Sequence, residues 1–329
     1  MINNFLIKNS INLASPVLGS TVYKFSDQFF APALRILHDS EPVFKDGVFD
    51  NHGKWMDGWE TRRKRVPGND FLIIKLGKPG KVNQILIDTS FFNGNQPEYA
   101  SLEGCYTLNK SIEKSSWIKI LNKKKLYSNK KHLFKSSTNK TFNFIRLNIF
   151  PDGGVARLRL MGDIDLSQEN LSKKQFDLAS ILNGSKIIAC SDEHFGRAEN
   201  LLSPGKSKNM GNGWETKRRR GPGFDWVIIK LGRPGNIASF EVNTHYFKGN
   251  YPSFFTIQGA SLASHISVKK IIASSNNWDK LIGNTKLNPN SSLIIKNKLN
   301  KNNNLNLIKL NIFPDGGISR FRIYGKAIS

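Results

Sequence analysis

The sequence predicts an all-β protein made of two tandem β-sandwich domains, and three observations carry that prediction. Short apolar runs end in Gly/Pro turns, apolar and polar residues alternate with a period of two, and most of the chain occurs twice. At 329 residues the chain exceeds the usual size of one core, so two domains are expected. The hydrophobic fraction of 39% and aromatic fraction of 11% are globular values and argue against disorder.

The duplication can be traced by offset. Trp59 and Trp214 lie 155 residues apart, and the same offset joins Asp70 to Asp225 and Gly94-Asn95 to Gly249-Asn250. Upstream the offset is 165, linking "NLAS" (12–15) to "DLAS" (177–180) and "SDQFF" (26–30) to "SDEHF" (191–195). The first copy therefore holds about ten extra residues near 42–56. Downstream the offset is 163, matching "LNIFPDGGVARLRLMG" (147–162) to "LNIFPDGGISRFRIYG" (310–325). The expected domains are 12–162 and 177–326, joined by a linker over 163–176.

Each element follows from local pattern. "FLIIKL" (71–76) and "VNQILIDT" (82–89) read as two strands joined by the turn "GKPGK", and "WVIIKL" (226–231) with "IASFEVNT" (237–244) repeats the arrangement. "FPDG" (150–153 and 313–316) carries the signature of a type I turn, Pro second and Gly fourth. After it, Arg157 and Arg159 alternate with Ala156, Leu158 and Leu160, and Arg320 and Arg322 alternate with Phe321 and Ile323. That period predicts one buried face and one available face. Helix is expected only as a turn within "KKQFDLASILNG" (173–184). Several short strands separated by turns give a sandwich of two antiparallel sheets per copy.

Composition excludes some functions. No apolar run approaches the roughly 18–20 residues that span a bilayer, so no membrane partner is expected. "MINNFLIKNSINLAS" has neither a charged n-region nor an apolar h-region, and Cys105 and Cys190 are too few for a disulfide framework; both point to a cytoplasmic protein. The net charge of +24 raises nucleic acid as a partner, but Lys is scattered with Asn, as in "NKLNKNNNLNLIKLN" (297–311). A binding stripe needs basic residues focused on one face, so no nucleic acid is expected. None of the six His forms an H-x-H or H-x-x-x-H pair, so no metal and no cofactor is expected.

The chemically richest stretch also occurs twice, as "GWETRRKRVPGNDF" (58–71) and "GWETKRRRGPGFDW" (213–226). If extended, it places Trp59, Thr61, Arg63 and Arg65 on one face, and Trp214, Thr216, Arg218 and Arg220 likewise. Guanidinium is kept at 63/218 and 65/220, whereas Lys and Arg interchange at 62/217 and 64/219. Bidentate anion recognition explains the kept positions, since it needs a planar fork where bare charge does not suffice. Trp59 and Trp214 serve equally well as packing anchors, and Asp70 and Asp225, just ahead of buried strands, as turn or capping residues.

These stretches, with "SDEHFG", "NLLSPG" and "HYFKGNYP" in the second copy, closely resemble the allantoicase family over residues 12–325. The first copy departs at "APALRIL" (31–37), where the second has "AENLL" (198–202). The resemblance implies a tandem pair of jelly-roll, galactose-binding-like domains that hydrolyse allantoate to ureidoglycolate and urea, in a homo-oligomer. Such a substrate is a carboxylate with two ureido groups on one carbon, and suits a guanidinium fork beside hydrogen-bond acceptors. The residues expected to contact it are Arg63, Arg65, Arg218, Arg220, Trp59, Trp214, Glu60, Asn93, Asn95, Asn250, Asp70 and Asp225. Proton transfer is expected from His245, His194, Glu193, Asp192 and Glu215. Ser90 and Phe29 stand where the second copy has His245 and His194, so the second copy carries more of that equipment. The rival reading is a non-catalytic module binding a polyanion or carbohydrate.

Overall fold

The computed structural model describes residues 9–108, 112, 115–167, 175–297 and 304–328. It divides into two compact units, Ile11–Asp165 and a second made of Leu166–Ser329 with Met1–Ser10. Part of the expected linker, 168–174, lies outside the described residues. Each unit is an antiparallel β-sandwich of the same topology.

The organising element of the first unit is one 19-residue strand, Asp70–Asp88. The expected turn at "GKPGK" does not reverse the chain. The segment is instead a bend through which the strand passes from one set of partners to another. Its first half pairs with Thr21–Phe25 and Thr141–Phe150, and its second with Lys131–Lys135 and Arg157–Ile164. The register shifts between Phe142 and Phe144, where Gly80 and Lys75 are the partners. A strand that bends this way serves both layers of a sandwich without a loop. Asp225–Asn243 repeats the design against Lys186–Cys190 and Leu305–Phe313, then Ser292–Lys296 and Arg320–Ala327. The inward residues of these strands form the core; in the second unit Trp214, Phe240, Phe255, Ile308 and Phe321 are fully buried.

Three local expectations are corrected. "FPDG" lacks the closing bond of a type I turn: Gly153 and Gly316 N–H donate to the Thr61 and Thr216 hydroxyls, and the Phe150 and Phe313 carbonyls accept from Glu98 and Ser253 N–H. The helical turn expected within 173–184 is present as the 3-10 turn Ile181–Asn183, but helix is not confined to that stretch, since Val268–Ser274 is an α-helix capped by Ser267. The arginine face of Arg157–Ile164 is covered rather than available. Arg157 donates to the carbonyls of Arg35, Ser40 and Asp57 and pairs with the Asp57 carboxylate, while Arg159 donates to those of His38, Asp39 and Ser40. Both guanidinium groups thus bind the 35–57 segment to the sandwich. In the second unit Arg320 and Arg322 hold the shorter 205–212 segment through the carbonyls of Gly205 and Asn212.

The difference between "APALRIL" and "AENLL" changes less than the letters suggest. Ala33–Leu37 and Ala198–Leu202 are both five-residue 3-10 turns, burying Ala33, Ile36 and Leu37 or Ala198, Leu201 and Leu202. The ten extra residues of the first copy form the small hairpin Phe49–Asp50 with Gly53–Lys54.

Candidate active site

Four loops meet in each repeat, and the duplicated Trp-Glu dipeptide joins them. In the second repeat Trp214–Glu215 pairs with Gly317–Ile318, and Gly196 bridges to Glu215. This brings the "SDEHFG" loop, the arginine loop and the "FPDGG" turn together. Asn250 ties in the fourth loop, its side chain donating to Glu215 and its carbonyl accepting from Gly317 N–H. Glycine is required at 317, where a Cβ would lie 1.9 Å from the Phe247 ring; at Gly154 the clash with Phe92 would be 2.0 Å. The first repeat assembles in the same way through Trp59–Glu60, Gly154–Val155 and Asn95.

The interleaved charges now separate by role. Arg62 pairs with Asp27 at 2.9 Å, and Lys217 reaches Asp192 at 3.9 Å. Lys64 pairs with Asp70 at 2.9 Å, and Arg219 with Asp225. The positions where Lys and Arg interchange thus each face an aspartate of the protein. Arg63, Arg65, Arg218 and Arg220 are exposed, and among the described residues none has a hydrogen bond or ion pair. The loop carrying them is not the extended strand the alternation suggested, since pairing stops after Glu60 and Glu215. It is held instead by side chains: Asp152 accepts from Lys64 N–H at 2.6 Å and Asp315 from Arg219 N–H at 2.7 Å.

Several expected site residues prove to be framework. Trp59 and Trp214 are fully buried, and each indole N–H donates to the backbone carbonyl of Asp27 or Asp192, so neither can touch a substrate. Asp192 accepts from the backbone N–H groups of His194 and Lys217, which fixes the loop. Glu193 turns inward, accepting from Ala198 N–H at 3.2 Å and standing 3.7 Å from the Cys190 thiol. Asp70 is 2% exposed and occupied by Lys64 and Ser26. Asp225 is 1% exposed; one oxygen receives Arg219 and Ser191, and Oδ2 has no hydrogen-bond partner.

Others remain able to act. His245 is half-buried and His194 exposed; their ring nitrogens make no hydrogen bond among the described residues, and His194 stands edge-on to Phe195. Next to His245, Tyr246 holds φ at 72°, in the left-handed region, with its N–H donated to Asn290. Phe91 repeats this at 69°, donating to Asn129. A bulky residue held there by a dedicated partner marks a loop whose shape is over-determined, as functional loops often are. Asn93 is exposed and makes no hydrogen bond among the described residues. His245 and His194 are not hydrogen-bonded to the arginine loop, and no group of three or more His, Cys, Asp or Glu among the described residues could hold a metal.

Glu60 was legible as an acid but not as a buried one. It is 8% exposed, and its Oε1 accepts from Asn95 at 2.7 Å. Burial pushes its carboxyl above the ordinary range, partly opposed by the Asn95 bond. A folded-state pKa above the unfolded one means that Glu60 stabilises the fold at low pH and that this contribution is lost as pH rises through the folded value. Glu60→Gln is therefore expected to gain stability relative to the parent between about pH 4 and pH 7, read by chemical denaturation at both ends. Equal pH dependence in the two proteins would refute the assignment.

Comparison with known proteins agrees with this internal symmetry. The allantoicase repeat model matches twice, at residues 11–165 and 176–328. A "Probable allantoicase" of Acinetobacter baumannii (strain AYE) is 44% identical, covering 98% of this chain and 95% of that protein. One of Pseudomonas fluorescens (strain Pf0-1) is 46% identical, with 96% of each chain covered. Among solved structures, the crystal structure of allantoicase from Saccharomyces cerevisiae superposes with a TM-score of 0.81 at 34% identity, covering 97% of this chain and 93% of that one. A second allantoicase structure gives 0.83 at the same identity, covering 97% and 94%. No helix among the described residues is long and apolar enough to cross a membrane. The chain belongs to the allantoicase family.

Proposed function

We propose that this chain is an enzyme that hydrolyses allantoate to ureidoglycolate and urea, with Arg218 and Arg220, and by symmetry Arg63 and Arg65, gripping the carboxylate. The observation carrying this reading is that guanidinium groups at these four positions stay exposed and unpaired while every interleaved cation faces an aspartate. A small monocarboxylate such as allantoate offers one carboxylate for such a fork and several N–H groups for Glu60, Glu215, Asn93, Asn95 and Asn250. A purely polymer-binding module is not favoured by relatives named probable allantoicases, which this chain matches over 95% and 96% of their length.

In the reaction, the bond between the central carbon and one ureido nitrogen breaks. That nitrogen gains a proton and leaves as urea. A water oxygen bonds to the same carbon and gives its proton to a base. His245, whose ring is unencumbered beside a fixed loop, is the first choice for proton transfer in the second repeat, with Glu215 and His194 as further groups. His245→Ala is expected to lower kcat on the order of 10²-fold or more. Urea release from allantoate, with and without chelator, tests the reaction; unaltered turnover in His245→Ala would remove this residue from it.

The enzyme is further proposed to work as a homo-oligomer in the cytoplasm. Among the described residues neither cysteine is in a disulfide, as a reducing compartment leaves them, and sandwich sheets with open edges readily associate. Sedimentation equilibrium at the monomer mass alone would overturn the assembly.

A further inference from the structure

The outward sheet face of the first repeat carries a cleft of about 470 Å³, lined by Asn69 and Phe71 from the end of the arginine-bearing stretch but by none of that stretch's arginines. Its polar floor is made by neighbouring strands: Arg146 lies opposite Glu103, and Asn148 opposite Ser101. Glu103 Oε2 accepts three bonds, from Arg146 Nε at 2.9 Å, Arg146 Nη2 at 2.5 Å and Asn148 at 3.2 Å. Among the described residues, Oε1 and Arg146 Nη1 have no hydrogen-bond partner. The guanidinium is fixed from a third side by Trp117, whose ring centre is 4.5 Å away. Lys119, directly across from Glu103, and Lys123 stand at the rim, the latter over the Tyr99 and Phe150 rings at 4.9 and 4.3 Å.

The second repeat has closed the same place. Phe224 replaces Asn69 and packs on Phe313 at 4.8 Å, which in turn stacks on Phe254 at 4.5 Å. Lys309 replaces Arg146, is 2% exposed, and is used up by Ser275 and Asn276. Gln258 replaces Glu103 and donates to the carbonyls of Asn276 and Trp278. One scaffold thus gives a filled face in one copy, and in the other an open one with an oriented donor, an oriented acceptor and two flanking cations.

We infer that this cleft is an accessory binding site for a small carboxylate that also carries a ureido or amide group. Glu103 Oε1 can accept a ureido or amide N–H, and Arg146 Nη1 can donate to a C=O of the same ligand. The ligand's own carboxylate is left for Lys119 and Lys123. A volume of this size suits a compact metabolite. The site stands on its own geometry and does not require the arginine clamp.

The test is titration calorimetry of N-carbamoylglycine into the full-length protein, with acetate and inorganic phosphate as parallel titrants. All are run in an Arg218→Gln/Arg220→Gln/Arg63→Gln/Arg65→Gln background, so that loss of the proposed clamp cannot be mistaken for loss of this site. N-carbamoylglycine is expected to bind, with acetate and phosphate at least roughly tenfold weaker, and Arg146→Gln is expected to weaken binding roughly tenfold or more. Asn69→Phe, which installs the filler of the second repeat, is expected to abolish binding and keeps the test decisive if Arg146→Gln does not fold. Binding unchanged in both variants, phosphate binding as tightly as the ureido acid, or no binding at all would overturn the inference.

Discussion

Replacing Arg218 and Arg220 together by glutamine is expected to lower kcat/KM for allantoate by a factor on the order of 10²–10³, with folding stability little changed. Both side chains are exposed and make no bond to the protein, so their removal deletes no internal contact. A surface cation without a partner contributes little to stability, and substitutions there usually fall within about 0.5 kcal/mol. The whole effect should therefore appear in the kinetics. Each charge-assisted bond to a bound carboxylate accounts for roughly 1.5–3 kcal/mol, and two of them give the stated range once partial compensation by water is allowed. Lysine at both positions should recover only part of the loss, because an ammonium supplies charge without the fork. The contrasting substitution is Arg219→Gln. It strips Asp225 of its cation in a buried setting, so it should lower stability as well as activity. Urea release and chemical denaturation on the same samples separate the two cases. If the double variant turns over allantoate normally in the second repeat, the same pair of changes at Arg63 and Arg65 decides whether the first repeat carries the activity. Normal turnover with all four replaced would remove the clamp from the mechanism.

What the sequence conveyed about this site depends on what periodicity can report. Alternation tells which residues share a face, and it placed Arg157 and Arg159 correctly against Leu158 and Leu160. It cannot tell what covers a face. A guanidinium buried under backbone carbonyls leaves the same period-two pattern as one in water, so the covering of these arginines by the 35–57 segment was invisible. The comparison of the two copies was more informative. Interchange of Lys and Arg at 62/217 and 64/219 marked the positions that need only charge, and these are the ones that face an aspartate. The "GKPGK" segment misled for a different reason. Gly and Pro signal a break in regular pairing, and a break that exchanges partners looks the same in one dimension as one that reverses direction. Burial of Trp59 and Trp214 was one of two open alternatives, because an indole suits a core and a binding surface equally; only the carbonyl partners at Asp27 and Asp192 decided it.

The covered arginines lead to the largest expected loss of stability. Arg157→Ala should destabilise the first repeat by about 3–5 kcal/mol, lowering its midpoint in denaturant without altering that of the second repeat. Arg157 is 1% exposed and its pair with Asp57 is 2.7 Å long, with Asp57 itself largely buried. Truncation leaves that carboxylate without its cation and removes the donors that satisfy the carbonyls of Ser40 and Asp57. The cost is thus the desolvation of groups left behind, more than the attraction lost. A double-mutant cycle distinguishes these contributions. Adding Asp57→Ala removes the stranded charge, so the double variant should be less destabilised than the sum of the singles by 1 kcal/mol or more, on the order seen for residues in one network. Arg320 provides the internal control, since it meets only backbone carbonyls at the matching place and no carboxylate is stranded when it is truncated. Arg320→Ala should therefore cost less than Arg157→Ala, although burial and the neighbouring Arg322 already lower its pKa to about 10. Because Arg157 fixes the segment that leads directly into Gly58 and Trp59, its loss should also loosen the first repeat's arginine loop while leaving that of the second intact. Equal costs at the two positions, or strict additivity with Asp57→Ala, would show that the buried ion pair is not what holds the insertion down.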